Sequence, residues 1–191
     1  MEQNTELMDM LKNNTGHVHN SHNTNCHNKT FNLQVFLNET CKNAMNITDF
    51  VDSIKLQLSD LERMGEIGYV EGISNIITSN LNALDVSLRP VHCTDKKRET
   101  VYIKDEDKWE KDDDHKTKLR LAVKKIANKN IKLIPQFREK YPDYGDSRSA
   151  ISDKYCKMVI EAMGGAGDND LEKENRIIHN ISRCAAIDKY N

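Results

Sequence analysis

The chain has 191 residues, 37% of them hydrophobic and 30% charged, with a formal net charge of −2. That length suits one domain and rarely more than two, and a charge so near zero excludes the global basicity that draws proteins to nucleic acid or membranes. Five scattered cysteines (Cys26, Cys41, Cys93, Cys156, Cys184), with no CxxC pair, argue against a secreted disulfide framework and for reduced, mostly buried thiols.

Residues 5–12 carry Leu7, Met8 and Leu11 on one side of a short amphipathic turn. Residues 13–30 then read NNTGHVHNSHNTNCHNKT, an Asn/His/Thr tract with too little apolar surface to offset its ordering entropy. Residues 1–30 are expected to form a disordered arm, and 31–191 a single helical domain. No apolar run approaches the ~20 residues of a membrane span. Met1-Glu2-Gln3-Asn4 has neither the basic nor the apolar region of a signal peptide. An intracellular protein with no membrane partner is the expectation.

Apolar residues from Phe31 to Met45, including Cys41 and Ala44, recur at helical spacing. Asn46 or Thr48 can cap a second helix with Ile47, Phe50, Val51, Ile54 and Leu58 on one face. Ser59 and Glu62 stand in capping-box spacing, and Gly65 and Gly68 are read as breaking that helix. Val70, Ile73, Ile76, Ile77, Leu81 and Leu84 make the buried stripe of a longer one.

Residues 89–112 change period. Val91 and Cys93, then Val101 and Ile103, alternate with polar residues, giving an antiparallel hairpin near 89–112 with a third short strand at Trp109. Asp112–Asp114 offer a cap to a helix from about His115 to Leu133, with Leu119, Ala122, Val123, Ile126 and Ala127 facing inward. Pro135 and Pro142 bracket a loop. Helices over Ser149–Met163 and Leu171–Ala186 follow, joined by a Gly164–Gly167 hinge. The fold class is α+β, mainly α, with one small antiparallel hairpin; helices followed by a basic-tipped hairpin resemble a winged helix.

Catalytic motifs are missing: there is no GxSxG, HExxH or P-loop. His92 and Cys93 are neighbours in a strand, so they point to opposite faces and make a poor base–nucleophile pair. His179 reads as part of a solvated helix face. His17, His19, His22, Cys26 and His27 are potential metal ligands, but their spacing matches no closed site and adventitious affinity is the better reading. The Asp105–Asp114 acids lack calcium-loop spacing and read as turn and cap chemistry. No enzyme activity, cofactor or metal site is expected.

Charge distribution says more. Lys116–Lys140 holds nine basic side chains against Glu139 alone, and Lys96-Lys97-Arg98 adds a basic hairpin tip. Ile47–Ser87 is the reverse, with Lys55 and Arg63 against seven acids. A basic helix face is ordinarily only a solvated face. The alternative is a phosphate-tracking surface made of Lys96, Lys97, Arg98, Lys118, Lys124, Lys125, Lys129 and Lys132, for DNA or RNA. Lys124, Lys125 and Lys129 are expected to be replaceable without loss of fold. A homo-oligomer joined through the acidic and basic halves is the rival from another class.

Residues 32–50, NLQVFLNETCKNAMNITDF, and the block 89–112 resemble a domain of uncharacterised proteins from giant DNA viruses of the mimivirus kind. The resemblance runs from about Thr30 to the C-terminus. In that group a Cys2His2-like zinc finger often precedes an Asn/Thr-rich linker similar to Asn13–Thr30. No cysteine or histidine precedes Asn13, so the finger is missing and its DNA contacts transfer to no residue here. The resemblance implies a viral, nucleic-acid-associated protein of the host cytoplasm (the viral factory) or the virion, and supplies no catalytic residues.

Overall fold

In the computed structural model, residues 31–167 and 169–188 are described; the expected arm at 1–30, with its His/Cys tract, lies outside them. Asn32 opens the described fold by accepting hydrogen bonds from Gln34 N and Val35 N, 2.9 and 3.2 Å, through its side-chain oxygen. The helical turn it caps, α1 (Leu33–Val35), runs into a π-helical stretch at Phe36–Thr40 and stops. The helical continuation expected to Met45 does not form. Cys41 and Ala44 are buried in a turn instead, because the segment folds back over the sheet.

Helix α2 (Ile47–Ser53) ends before Leu58, which opens α3 (Leu58–Ile67). The capping box belongs to Gln57 and Asp60, not to Ser59 and Glu62: the Asp60 carboxylate accepts from Gln57 N at 2.7 Å. Gly65 does not break α3. It sits inside the helix at the crossing with α7 (Ala150–Ala162), where a Cβ would lie 2.8 Å from Met158 Cβ. Gly68, at φ 92°, makes the turn into α4 (Tyr69–Asn82).

The β signal gives a three-stranded antiparallel meander, β1 (Val91–Asp95), β2 (Thr100–Asp105) and β3 (Lys108–Lys111). Val91 pairs with Ile103 and Cys93 with Val101, so all four buried side chains share the core face. The free edge of β1 is covered by the chain's last described residues: Cys93 N donates to Ala185 O at 2.8 Å, and Ile187 N to Cys93 O at 2.9 Å.

Helix α5 (Thr117–Ile131) starts two residues later than the sequence suggests, because Lys116 adopts a left-handed conformation. Asp112 and Asp113 supply its cap, accepting from the backbone N–H groups of Leu119, Lys118 and Thr117. The Pro135–Pro142 loop is a helix, α6 (Ile134–Lys140): Pro135 stands at its start, where its missing N–H costs nothing. Helix α7 is capped by Ser149, and α8 (Asp170–Cys184) by Asn169. α3 packs along α7 and α4 along α8. Their inner faces, with Leu61, Met64, Ile73, Leu81, Met158, Ile177 and Ile181, join Ile126, Phe137 and the sheet in one core. The architecture is mainly helical α+β, and no described helix is long and apolar enough to cross a membrane.

The four described cysteines are free thiols. Cys41 and Cys93 are buried and Cys184 half-buried, but Cys156 faces outward. Its expected burial fails because Met158 and Ala162 carry the contact with the rest of the core.

Candidate nucleic-acid interface

The inner stripe of α5 is buried as expected: Leu119, Ala122, Val123, Ile126 and Ala127 all face the core. The lysines between them are not a free cationic surface. Lys118 Nζ lies 2.8 Å from Asp105 and 2.7 Å from Glu110 of the sheet, and its pKa is raised by those hydrogen bonds. Lys124 reaches Glu174 of α8 at 3.2 Å, beside Arg120, which holds the same carboxylate at 2.8 Å.

Lys129 has a structural role. Its ammonium donates to Val51 O, Asp52 O and Ile54 O at 2.9, 3.2 and 2.7 Å, covering the otherwise open carbonyls at the C-terminus of α2. Replacing Lys124, Lys125 and Lys129 together is therefore expected to cost stability at Lys129, and Lys124 is tied to α8. Only Lys125 and Lys132 of this group are exposed with side chains unpaired among the described residues.

The hairpin tip is different. Lys96, Lys97 and Arg98 are exposed, and none of the three side chains has a hydrogen-bond or ion-pair partner among the described residues. Their backbone is fixed: the Asp95 carboxylate accepts from Lys97 N at 2.9 Å and Arg98 N at 3.0 Å, and Glu99 closes the turn at φ 50°. The tip is not brought together with Lys118. That side chain is held at Asp105, five residues along β2 from Thr100, roughly 16 Å at the usual strand rise.

What the tip meets is α8. Glu99 Oε1 lies 2.7 Å from His179 Nδ1, which seats the turn on the exposed side of that helix. Arg176 and Arg183 stand three residues before and four after His179, so helical geometry places all three on one face. Both arginines are exposed, with side chains unpaired among the described residues. Five unpaired cations thus belong to the turn and the helix that the Glu99–His179 contact joins. The sequence places His179 at helical spacing from Asn175 and Arg183, which reads as a solvated face; Arg176 is marked only by extending that 3–4 spacing one turn towards the N-terminus.

A second constellation was also missed. His92 is not a partner of Cys93 but of Cys41, whose Sγ lies 3.4 Å from its Nε2. Phe36 and Trp109 enclose the imidazole at centroid distances of 5.0 and 5.4 Å, and Trp109 Nε1 donates to Cys41 O. Burial pushes the His92 pKa down to about 4 and the Cys41 thiol up to about 11, so both groups are neutral at pH 7. A thiol without thiolate character, sealed from solvent, is packing and not a nucleophile. Among the described residues no three His, Cys, Asp or Glu side chains are grouped to hold a metal ion.

The acidic and basic stretches meet within the chain. Glu62 faces Lys140 at 3.4 Å, Glu66 faces Lys154 at 3.9 Å, and α5 caps α2 through Lys129. Comparison with protein-family models, curated proteins and solved structures finds no match.

Proposed function

We propose that this chain is a non-enzymatic nucleic-acid-binding protein that grips phosphates with the β1–β2 tip and the exposed face of α8. The observation that carries this reading is the seating of Lys96, Lys97 and Arg98 against a helix that contributes Arg176 and Arg183, all five side chains unpaired among the described residues. Arginine and lysine on a preorganised turn meet phosphate oxygens at small entropic cost, and such contacts position a backbone without reading its sequence. Lys125 and Lys132 lie outside this surface and serve at most as peripheral contacts. The resemblance of residues 32–50 and 89–112 to giant-virus proteins adds a nucleic-acid-rich setting to the proposal.

Fluorescence anisotropy of a labelled duplex and a labelled single strand, titrated at several salt concentrations, tests it. Binding should weaken with salt at a log–log slope of roughly −3 to −5 if most of the five cations meet a phosphate. No binding to either strand form at low salt ends the reading. An increase in solution mass without nucleic acid, abolished when the tip cations are neutralised, supports self-assembly instead.

A further inference from the structure

Helices α3 and α4 run antiparallel from the turn at Gly68, and their inner faces go to the core. Between their outer edges lies a groove of about 330 Å³. Gly72 and Ile76 form part of its lining, and a Cβ on Gly72 would lie 2.8 Å from Met64 Cγ. The size is at the lower end of small-ligand sites.

Its charge is not what the surrounding sequence dictates. Ile47–Ser87 carries seven acids and only two basic residues, and both of these, Lys55 and Arg63, line the groove. Both are exposed, and neither side chain has an ion-pair or hydrogen-bond partner among the described residues. Among the described residues no ion pair joins any of the seven acids to Lys55 or Arg63; Glu62 pairs with Lys140, Glu66 with Lys154, and Asp85 and Asp49 hold Ser87 and Asn46. Asp60, inside the groove, holds Gln57 N with one oxygen. Two unpaired cations lining one concavity, with a single carboxylate, Asp60, beside them in the lining, form a site that an anion completes.

The remaining lining defines the rest of the ligand. Asn80 gives its amide N–H to Ile76 O at 2.8 Å, which leaves its side-chain oxygen as an acceptor. Asn75 and Ser79 add groups that donate and accept, and Asp60 accepts only. We infer that the α3–α4 groove binds a small phosphorylated polyol of the sugar-phosphate class, with the phosphate on Arg63 and Lys55 and the hydroxyls on Asp60, Asn75, Ser79 and Asn80. The site shares no residue with the tip and α8, and the inference stands apart from the nucleic-acid reading.

Amide and side-chain NMR of the full chain, titrated with ribose 5-phosphate, inorganic phosphate and ribose, tests it. Ribose 5-phosphate should shift the Arg63 Nε–H and the Asn75 and Asn80 side-chain amides saturably. Inorganic phosphate should move the same signals more weakly, and ribose should leave them unmoved. Arg63→Gln and Lys55→Gln should each weaken ribose 5-phosphate binding about tenfold or more, as removal of a charge-assisted contact does, with circular dichroism unchanged. The inference is overturned by the absence of saturable shifts at the groove, by equal responses to ribose and ribose 5-phosphate, or by a response that survives Arg63→Gln. Shifts confined to residues 96–98 and α8 would also overturn it, by assigning the phosphate affinity to the other surface.

Discussion

The outer side of α5 and the hairpin tip are both lysine-rich in sequence, yet folding treats them in opposite ways. On α5, Lys118 is held by two sheet carboxylates, Lys124 by Glu174, and Lys129 by three carbonyls at the end of α2. At the tip, the two carboxylates of the turn are given to other work: Asp95 accepts from the turn's backbone, and Glu99 meets His179. The same residue type is therefore structural glue in one place and available charge in the other. Net charge along a stretch of sequence measures supply; function depends on what remains after the chain has satisfied itself.

The largest effect expected concerns the imidazole of His92, buried between the sheet and the Phe36–Cys41 segment. The unfolded chain protonates His92 below about pH 6.5, whereas the folded chain does so only near 4, because burial opposes the charge. Stability is therefore complete above pH 6.5, declines as pH falls through this window, and has lost this contribution by pH 4. The size is about 3 kcal/mol, from the linkage value per pKa unit. Denaturant unfolding at pH 7 and pH 4.5 checks it, and an imidazole titration of His92 near its ordinary value would contradict it.

A smaller effect separates structural from available lysines. Lys129→Met keeps the aliphatic stem but removes the donor to α2, and should cost about 2 kcal/mol, the usual range for hydrogen bonds from a charged group. A midpoint of denaturation equal to wild type would show that water replaces the ammonium without loss. Lys124→Gln removes one of two cations from Glu174 and should cost less than about 1 kcal/mol, since Lys124 is mostly exposed. Lys125→Glu should change stability by less than about 0.5 kcal/mol, as exposed unpaired positions do. Equal losses from Lys125 and Lys129 would erase the distinction between the two kinds of lysine.

Much of the architecture was legible because it rests on period and burial. The alternation at Val91, Cys93, Val101 and Ile103 fixed the sheet's inner face, and the Leu119–Ala127 stripe fixed that of α5. Local signals misled where tertiary contact decides. Gly65 reads as a helix breaker in isolation, but it is the close-approach point with Met158. Pro135 reads as loop until its position at a helix start is known. His92 was placed correctly on the face opposite Val91, but alternation alone does not say that the Cys41 turn folds over that face and buries it. The available cations were the least legible part, because pairings such as Lys129 with Val51 join residues 78 apart in sequence.

The most direct test compares the two lysine-rich regions on one duplex, across salt concentrations. A tip variant (Lys96→Gln, Lys97→Gln, Arg98→Gln) is set beside an α5 variant (Lys125→Gln, Lys132→Gln), each with unfolding checked against wild type. If the tip and α8 hold the phosphates, the tip variant loses roughly a hundredfold in affinity at low salt and its log–log salt slope shrinks by about 3. The α5 variant should stay within about threefold of wild type, since its cations lie outside the proposed surface. An α5 variant that loses as much as the tip variant, or more, would contradict the assignment.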